Sequence, residues 1–282
     1  MIRSIFLILF FTAPFLVSAQ KLQVTVFAGF CNYQGDLQDK RFTASQAHPA
    51  FGAGLLYDIT DHFSARANVN FGKISGNDKY NDKNTARNLS FSSPVTDIHL
   101  GLEYSLFNLY ERSLTPYIFA GISYFNFNPS TIDSSGRKVF LQPLGTEGQG
   151  FYQGRKKYNL NQFAIPFGGG VKFALSENIR LAFEIGMRKT NTDYLDDIST
   201  TYIDQNILLA NRGQQAVELA FRSDELKTGL GYPADGSQRG SAKYKDWYYF
   251  SGINICIRLK GNGNNGGGNA RKSKTGCPTN IY

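Results

Sequence analysis

By type and spacing, Asp97 and His99 are the residues best placed to do chemistry. They sit two positions apart in a stretch that alternates like a strand, so their side chains leave from the same face. An acid–imidazole pair of this kind can activate water or a serine hydroxyl. Only three histidines occur, His48, His62 and His99. The same face offers a competing use. Arg66, Asp97, His99, Glu103, Arg180, Glu184, Arg188 and Arg258 fall on the polar faces of alternating stretches. Together they can form a network that neutralises charges too costly to bury alone. We expect the network rather than a catalytic pair, and no cofactor.

Three other groupings invite a chemical reading. Asp193, Asp196 and Asp197 could offer oxygens to Ca²⁺, but their spacing does not match an EF-hand loop. We expect them to shape their loop or to cap a following helix, without a metal. Gly145 to Gly150 is glycine-rich but lacks the lysine of a phosphate-binding loop, so it reads as a shaped loop. The three cysteines, Cys31, Cys256 and Cys277, show no metal-ligand spacing, and their odd number leaves one unpaired within the chain.

The elements that must position these residues are strands. In Ile179 to Arg188, Ile179, Leu181, Phe183, Ile185 and Met187 oppose Arg180, Ala182, Glu184, Gly186 and Arg188. The same period of two runs through His62 to Gly72, Asp97 to Tyr104 and Tyr249 to Leu259. Weaker versions run through Leu22 to Tyr33, Pro49 to Asp58, Tyr117 to Asn126 and Gln162 to Ala174. That gives about eight strands, most of them meeting the roughly 9–11 residues that cross a bilayer. A soluble sandwich would wet the second face. A membrane barrel would turn the apolar face to lipid and the charged face to its lumen. Connection lengths favour the barrel. Asp58 to Asp61 and Leu175 to Asn178 are tight, and Leu106 to Thr115 is moderate. Gln34 to His48, Lys73 to Arg87, Pro129 to Tyr158 and Lys189 to Lys245 are long. Short periplasmic turns opposite long extracellular loops are the habit of outer-membrane barrels. A short helix is expected within Ile203 to Leu226. Phe27, Phe30, Tyr57, Phe63, Tyr104, Tyr117, Tyr124, Phe125, Trp247 and Tyr249 fall near strand ends. Such residues suit interfacial girdles, though aromatics favour any strand.

Composition agrees. The 282 residues include 14% aromatics and 29 glycines. The mean hydropathy of -0.30 resembles that of a soluble protein because alternation averages the apolar signal away. Arg3, the apolar Ile5 to Val17 and the small Val17-Ser18-Ala19 form an export signal, with cleavage expected after Ala19. The domain organisation is then a signal peptide at 1–19, a barrel over 20–260 and a flexible basic tail at 261–282. Both termini are expected on the periplasmic side. The formal net charge of +8 could suggest nucleic acid, but export makes that partner poor. Membrane lipid is the expected surroundings.

Specific runs carry a resemblance. They include Pro116-Tyr117-Ile118-Phe119-Ala120-Gly121, Ala164-Ile165-Pro166-Phe167-Gly168 and Lys245-Asp246-Trp247-Tyr248. More specific are Leu141-Gln142-Pro143-Leu144-Gly145-Thr146-Glu147-Gly148 and Asp193-Tyr194-Leu195-Asp196-Asp197. Over nearly all of the mature chain, the series resembles the PorG family of Bacteroidetes outer-membrane barrels, a component of the type IX secretion system. The resemblance implies a non-catalytic role in protein export, with periplasmic secretion-ring proteins as partners. It makes the latter two runs the candidate functional loops. Against this stand a general OmpA-like structural barrel or porin and a barrel hydrolase. A porin is physically disfavoured, because about eight strands leave little room for a channel.

Overall fold

The computed structural model describes residues 21–38, 43–80, 84–108, 112–227 and 229–259. The expected signal peptide and basic tail, with Cys277, lie outside the described residues.

Eight strands form the wall: β1 (Leu22–Gln34), β2 (His48–Asp58), β3 (Phe63–Asn77), β4 (Ser90–Ser105), β5 (Leu114–Phe127), β8 (Asn161–Ala174), β9 (Ile179–Thr190) and β10 (Trp247–Arg258). Between β5 and β8 stands a small hairpin of β6 (Ser130–Ile132) and β7 (Lys138–Phe140), which sequence alternation did not reveal. Each wall strand pairs antiparallel with its neighbours in chain order. β1 pairs with β10 from Gln23↔Arg258 to Gln34↔Trp247, which closes the sheet. The molecule is an up-and-down antiparallel transmembrane β-barrel.

Closure removes every edge in the wall and satisfies the backbone within the sheet, as a strand in lipid requires. The outward positions carry Val26, Phe51, Leu100, Ile118, Phe163 and Ile255, all exposed. A continuous apolar band of this kind is covered by lipid, not water. Among the described residues, no helix is long and apolar enough to cross a membrane, so strands do the crossing.

The turns at 59–62 and 175–178 share one end of the barrel with the start of β1 and the end of β10, as Leu22↔Tyr57 and Ile257↔Ile179 show. The long connections share the other end. The longest holds α1 (Gln205–Arg212) and α2 (Gln214–Ala220), inside the expected helical stretch. Asp204 caps α1, accepting from the Asn206 and Ile207 amides at 2.8 and 3.1 Å. The helix cap is therefore Asp204 and not Asp193, Asp196 or Asp197.

One expectation is corrected by the wall itself. Phe30, Phe63, Tyr104 and Tyr124 face outward and are exposed, but Phe27, Tyr117 and Phe125 point into the barrel and are buried. An eight-strand barrel must fill its interior with side chains, and rings supply that volume.

Candidate functional site: a filled lumen beneath an ordered cap

Period-two alternation delivers one charged residue after another to the lumen, and the register stacks them in layers. Nearest the short turns, Asp58 accepts from Gln23 and Ser64, both at 2.8 Å, and faces Arg180 at 3.6 Å and Arg258 at 3.5 Å. In the next layer Arg66 grips both Glu184 oxygens at 3.0 Å and lies 3.6 Å from Glu103. Lys172 pairs with Glu103, and the Tyr117 hydroxyl donates to Glu184 at 2.8 Å. Above it, Asp97 receives Tyr248 at 2.8 Å, Asn70 at 3.2 Å, Arg188 at 3.4 Å and also Ser123. Each buried charge thus meets an opposite charge or several donors, which offsets its desolvation.

The expected network members Arg66, Asp97, Glu103, Arg180, Glu184, Arg188 and Arg258 all enter these layers. His99 shares the lumen but makes no hydrogen bond, since neither ring nitrogen has a partner among the described residues. Its ring rests near that of Phe119, with centroids 5.6 Å apart. The imidazole fills space beside the network, and Asp97 spends its oxygens on other donors. No Asp97–His99 hydrogen bond forms. A serine–histidine contact is found elsewhere, at the loop end of β2 and β3. Ser75 donates to Gln46 Oε1 at 2.8 Å, and His48 Nε2 stands 2.7 Å from the same hydroxyl.

Toward the long loops the lumen changes character. The stack Tyr248–Phe125–Phe127–Tyr158–Tyr194 runs from the Asp97 layer out into the loops, with centroids 5.0, 5.7, 6.1 and 4.8 Å apart. Cys31, Tyr33, Leu37, Ile74, Leu195 and Ile198 are fully or almost fully buried around it. The expectation of a polar interior holds for the turn-side half only. The loop-side half is an apolar core to which the loops are fastened. Cys256 faces the lumen as a free thiol, as does Cys31.

The two candidate runs, far apart in the chain, meet in this cap. Glu147, wholly buried, pairs with Arg239 at 3.0 Å. It also accepts from the Ser199 and Thr200 amides at 2.9 and 3.0 Å, the Thr200 hydroxyl at 2.7 Å and the Tyr194 hydroxyl at 3.3 Å. Asp197 accepts from Thr146 at 2.6 Å and Tyr158 at 2.7 Å. Asp196 accepts from Tyr33 at 2.6 Å and from the Ile198 amide at 3.0 Å. Leu141 joins the apolar core and Leu144 packs against both it and the helical cluster of Leu208, Ala216 and Val217. Gln142 donates to the Tyr158 carbonyl at 3.0 Å, whereas Pro143 is exposed. Gly145 and Gly148 turn with φ of 57° and 86°. At Gly148 a Cβ would fall 2.6 Å from Tyr152 Cβ, so the turn requires glycine.

Four aspartates of the cap are hard to ionise. Burial pushes Asp197 up to about 6 against the pull of Arg239, and pushes Asp193 up to about 7. Asp196 and Asp246 also lie well above the usual carboxylate range, for the same reason. Asp193, Asp196 and Asp197 do not converge on one point. Among the described residues, no three His, Cys, Asp or Glu side chains form a metal-holding group.

Sequence reasoning missed Arg239, Arg155 and Asp246. Arg155 ties Glu147 to Thr201, with bonds of 2.5 Å to the carbonyl of the first and 2.8 Å to that of the second. These residues sit in loops, where no periodicity marks a face. Lys172 and Tyr117 were also missed, although carrying the alternation through β5 and β8 places both inward.

Comparison with known proteins gives a family and a likeness of fold. The family model described as a domain of unknown function (DUF6089) matches residues 2–143. Among solved structures, the chain is similar to Neisserial surface protein A (NspA), at 9% identity over 85% of this chain and 97% of that one, with a TM-score of 0.42. It is similar to the attachment invasion locus protein Ail of Yersinia pestis, at 7% identity over 84% and 97%, TM-score 0.38. It is likewise similar to OprG of Pseudomonas aeruginosa, at 9% identity over 85% and 98%, TM-score 0.38. No curated protein matches the sequence.

Proposed function

The chain belongs to the DUF6089 family, and from that premise we propose that it is a non-catalytic outer-membrane barrel that works through its two ends rather than its lumen. The observation that carries this reading is the filled interior. Three layers of paired charge and an aromatic core occupy the space through which a solute would pass. Asp97 and His99 make no hydrogen bond to each other, and the Ser75 hydroxyl is bonded to Gln46. What is left for function is the rigid cap at one end and the short-turn end, where the described chain both begins and finishes.

The finer form of the proposal takes up the resemblance to PorG. In it the barrel is a component of the type IX secretion system, with its short-turn end and the basic 261–282 segment on the periplasmic side. There it anchors secretion-ring proteins beneath the outer membrane. The expected export signal and the lipid-facing band support that placement. Deleting the gene and measuring secreted cargo tests it: cargo should accumulate in the cell, and complementation by a His99→Ala variant should restore secretion. Unchanged secretion in the deletion strain would leave the general structural barrel as the reading. Failed rescue by His99→Ala, with the barrel inserted normally, would turn the reading toward catalysis.

A further inference from the structure

The two ends of the wall differ in the charge they expose. At the tight-turn end Lys21 and Arg112 are exposed, and so are Asp61 and Glu177, so the signs balance. At the loop end, where β9 stops and β10 starts, Lys189, Lys243 and Lys245 are all exposed. None of the three makes a salt bridge among the described residues. Lys245 spends one of its three donors on the Ala242 carbonyl at 3.3 Å.

The neighbouring carboxyls are turned into the cap. Asp246 is buried and accepts from the Leu195 amide at 2.9 Å, and Asp36 accepts from the Ser241 amide at 3.0 Å. Burial raises Asp193 to about 7 against the field of Lys245, so this carboxyl offers that ammonium only a partial counter-charge. The separation follows from alternation at the start of β10. Lys245 and Trp247 leave on the outer side, while Asp246 and Tyr248 turn inward and are buried.

The ammoniums border the lipid-facing band directly. Lys189 is the last outward residue of β9, paired with Trp247 on one side and Ile165 on the other. Its Nζ lies 6.0 Å from the centre of the Trp247 ring, and Lys243 Nζ lies 5.4 Å from that of Tyr244. Trp247 packs edge-on against Phe167 at 5.9 Å, and Ile165, Phe183 and Ile185 are exposed on the same outer surface. Amphipathic rings of this kind sit where headgroups meet acyl chains. A soluble anion would use only the cationic part of this surface, and a hydrocarbon only the apolar part. An amphiphile with an anionic head uses both, and lysine suits phosphate as a point charge.

We propose that the outer face at the junction of β9 and β10, marked by Lys189, Lys243, Lys245 and Trp247, binds the phosphorylated headgroup of an anionic lipid in the loop-side leaflet. The acyl chains lie along Ile165 and Ile185. The inference stands on the barrel and its lipid-facing band and does not need the secretion role.

Trp247 is the one tryptophan in the sequence, so its emission reports the site directly. The purified full-length protein, in amine-oxide micelles, is titrated with bisphosphorylated lipid A, with the same lipid stripped of phosphate, and with inorganic phosphate. Bisphosphorylated lipid A should shift the Trp247 emission saturably, and added salt should weaken the binding. Replacing Lys189, Lys243 and Lys245 together by glutamine should weaken it about a hundredfold. Lys189→Gln alone should weaken it about fivefold, which keeps the test open if the triple variant does not insert. Lys73→Gln serves as the control. This lysine is also exposed, but it stands on β3, four strands from β9 in the order β3-β2-β1-β10-β9, and its loss should leave the binding unchanged. The proposal falls if bisphosphorylated lipid A does not saturate, if the phosphate-free lipid binds equally well, or if inorganic phosphate gives the same response. It falls equally if the Lys189 variants bind as the unaltered protein does, or if Lys73→Gln weakens binding as much as Lys189→Gln.

Discussion

Replacing Arg239 by methionine keeps a long side chain in place and removes the charge at the centre of the cap. The guanidinium bonds Glu147 at 3.0 Å, the Asp197 carbonyl at 2.6 Å and the Ala220 carbonyl at 3.3 Å. Removing one partner of a buried pair costs about 3–5 kcal/mol, because the other charge stays buried and uncompensated. Glu147 keeps the donors of Ser199 and Thr200, which puts the loss at the lower end, about 3 kcal/mol. The barrel wall is not part of this balance, so the cost should appear as local opening of the cap, raised about a hundredfold. Hydrogen exchange read by mass spectrometry in micelles checks it. Peptides covering 195–201 and 214–220 should lose protection, while those from 249–258 keep theirs. Adding Glu147→Gln to Arg239→Met should recover part of the protection, since a neutral amide needs no counter-charge. The reasoning is refuted if cap protection is unchanged, or if the strands lose protection to the same extent.

Two further outcomes follow from the same geometry. The cap should be more protected at pH 5 than at pH 8. Asp197, near 6, and Asp193, near 7, sit above their ordinary value of 3.8. The folded cap therefore favours their protonated forms, and the stability this gives is complete below about 4 and lost as pH rises through 6 to 7. For Asp197 that loss is about 3 kcal/mol, and an Asp197→Asn variant should show a flatter exchange-versus-pH profile. In the lumen, Glu184→Ala leaves Arg66 without its two 3.0 Å contacts and Tyr117 without its acceptor. The temperature at which folded barrel converts to the slower-migrating form on gels should fall. Single-channel recording of the unaltered protein should show no steady conductance; a stable open level would contradict the filled lumen.

Period-two alternation was enough to locate all eight wall strands, and loop lengths were enough to tell the tight turns of one end from the long connections of the other. Both signals are local. A strand in lipid must present one apolar face, and that demand is written residue by residue in Ile179 to Arg188 and Asp97 to Tyr104. Alternation could also name the members of the lumen network, because any charged residue on the face opposite the apolar one must point inward. It could not say that His99 would be left without a hydrogen bond. It could not say that Phe27, Tyr117 and Phe125 would turn inward rather than join a girdle. Aromatics are at home on both faces of such a wall, and only the diameter of the closed barrel decides how much ring volume the interior takes.

The cap divides in the same way. Its two distinctive runs, around Glu147 and around Asp197, stand out in the sequence as loops too particular to be spacers. Their meeting does not. Glu147 finds Arg239 92 positions away, and Asp196 finds Tyr33 163 positions away. Both pairings depend on the paths that long connections take over an aromatic core. Loops have no repeat from which a face can be read, so their partners are fixed only when closure of the barrel brings the strand ends together and sets the space the loops must fill. The sequence by itself determined the barrel, its lipid face and its charged lumen. The tertiary structure alone decided that the lumen is closed by paired charge and stacked rings, and that a buried Glu147–Arg239 pair holds the cap above it.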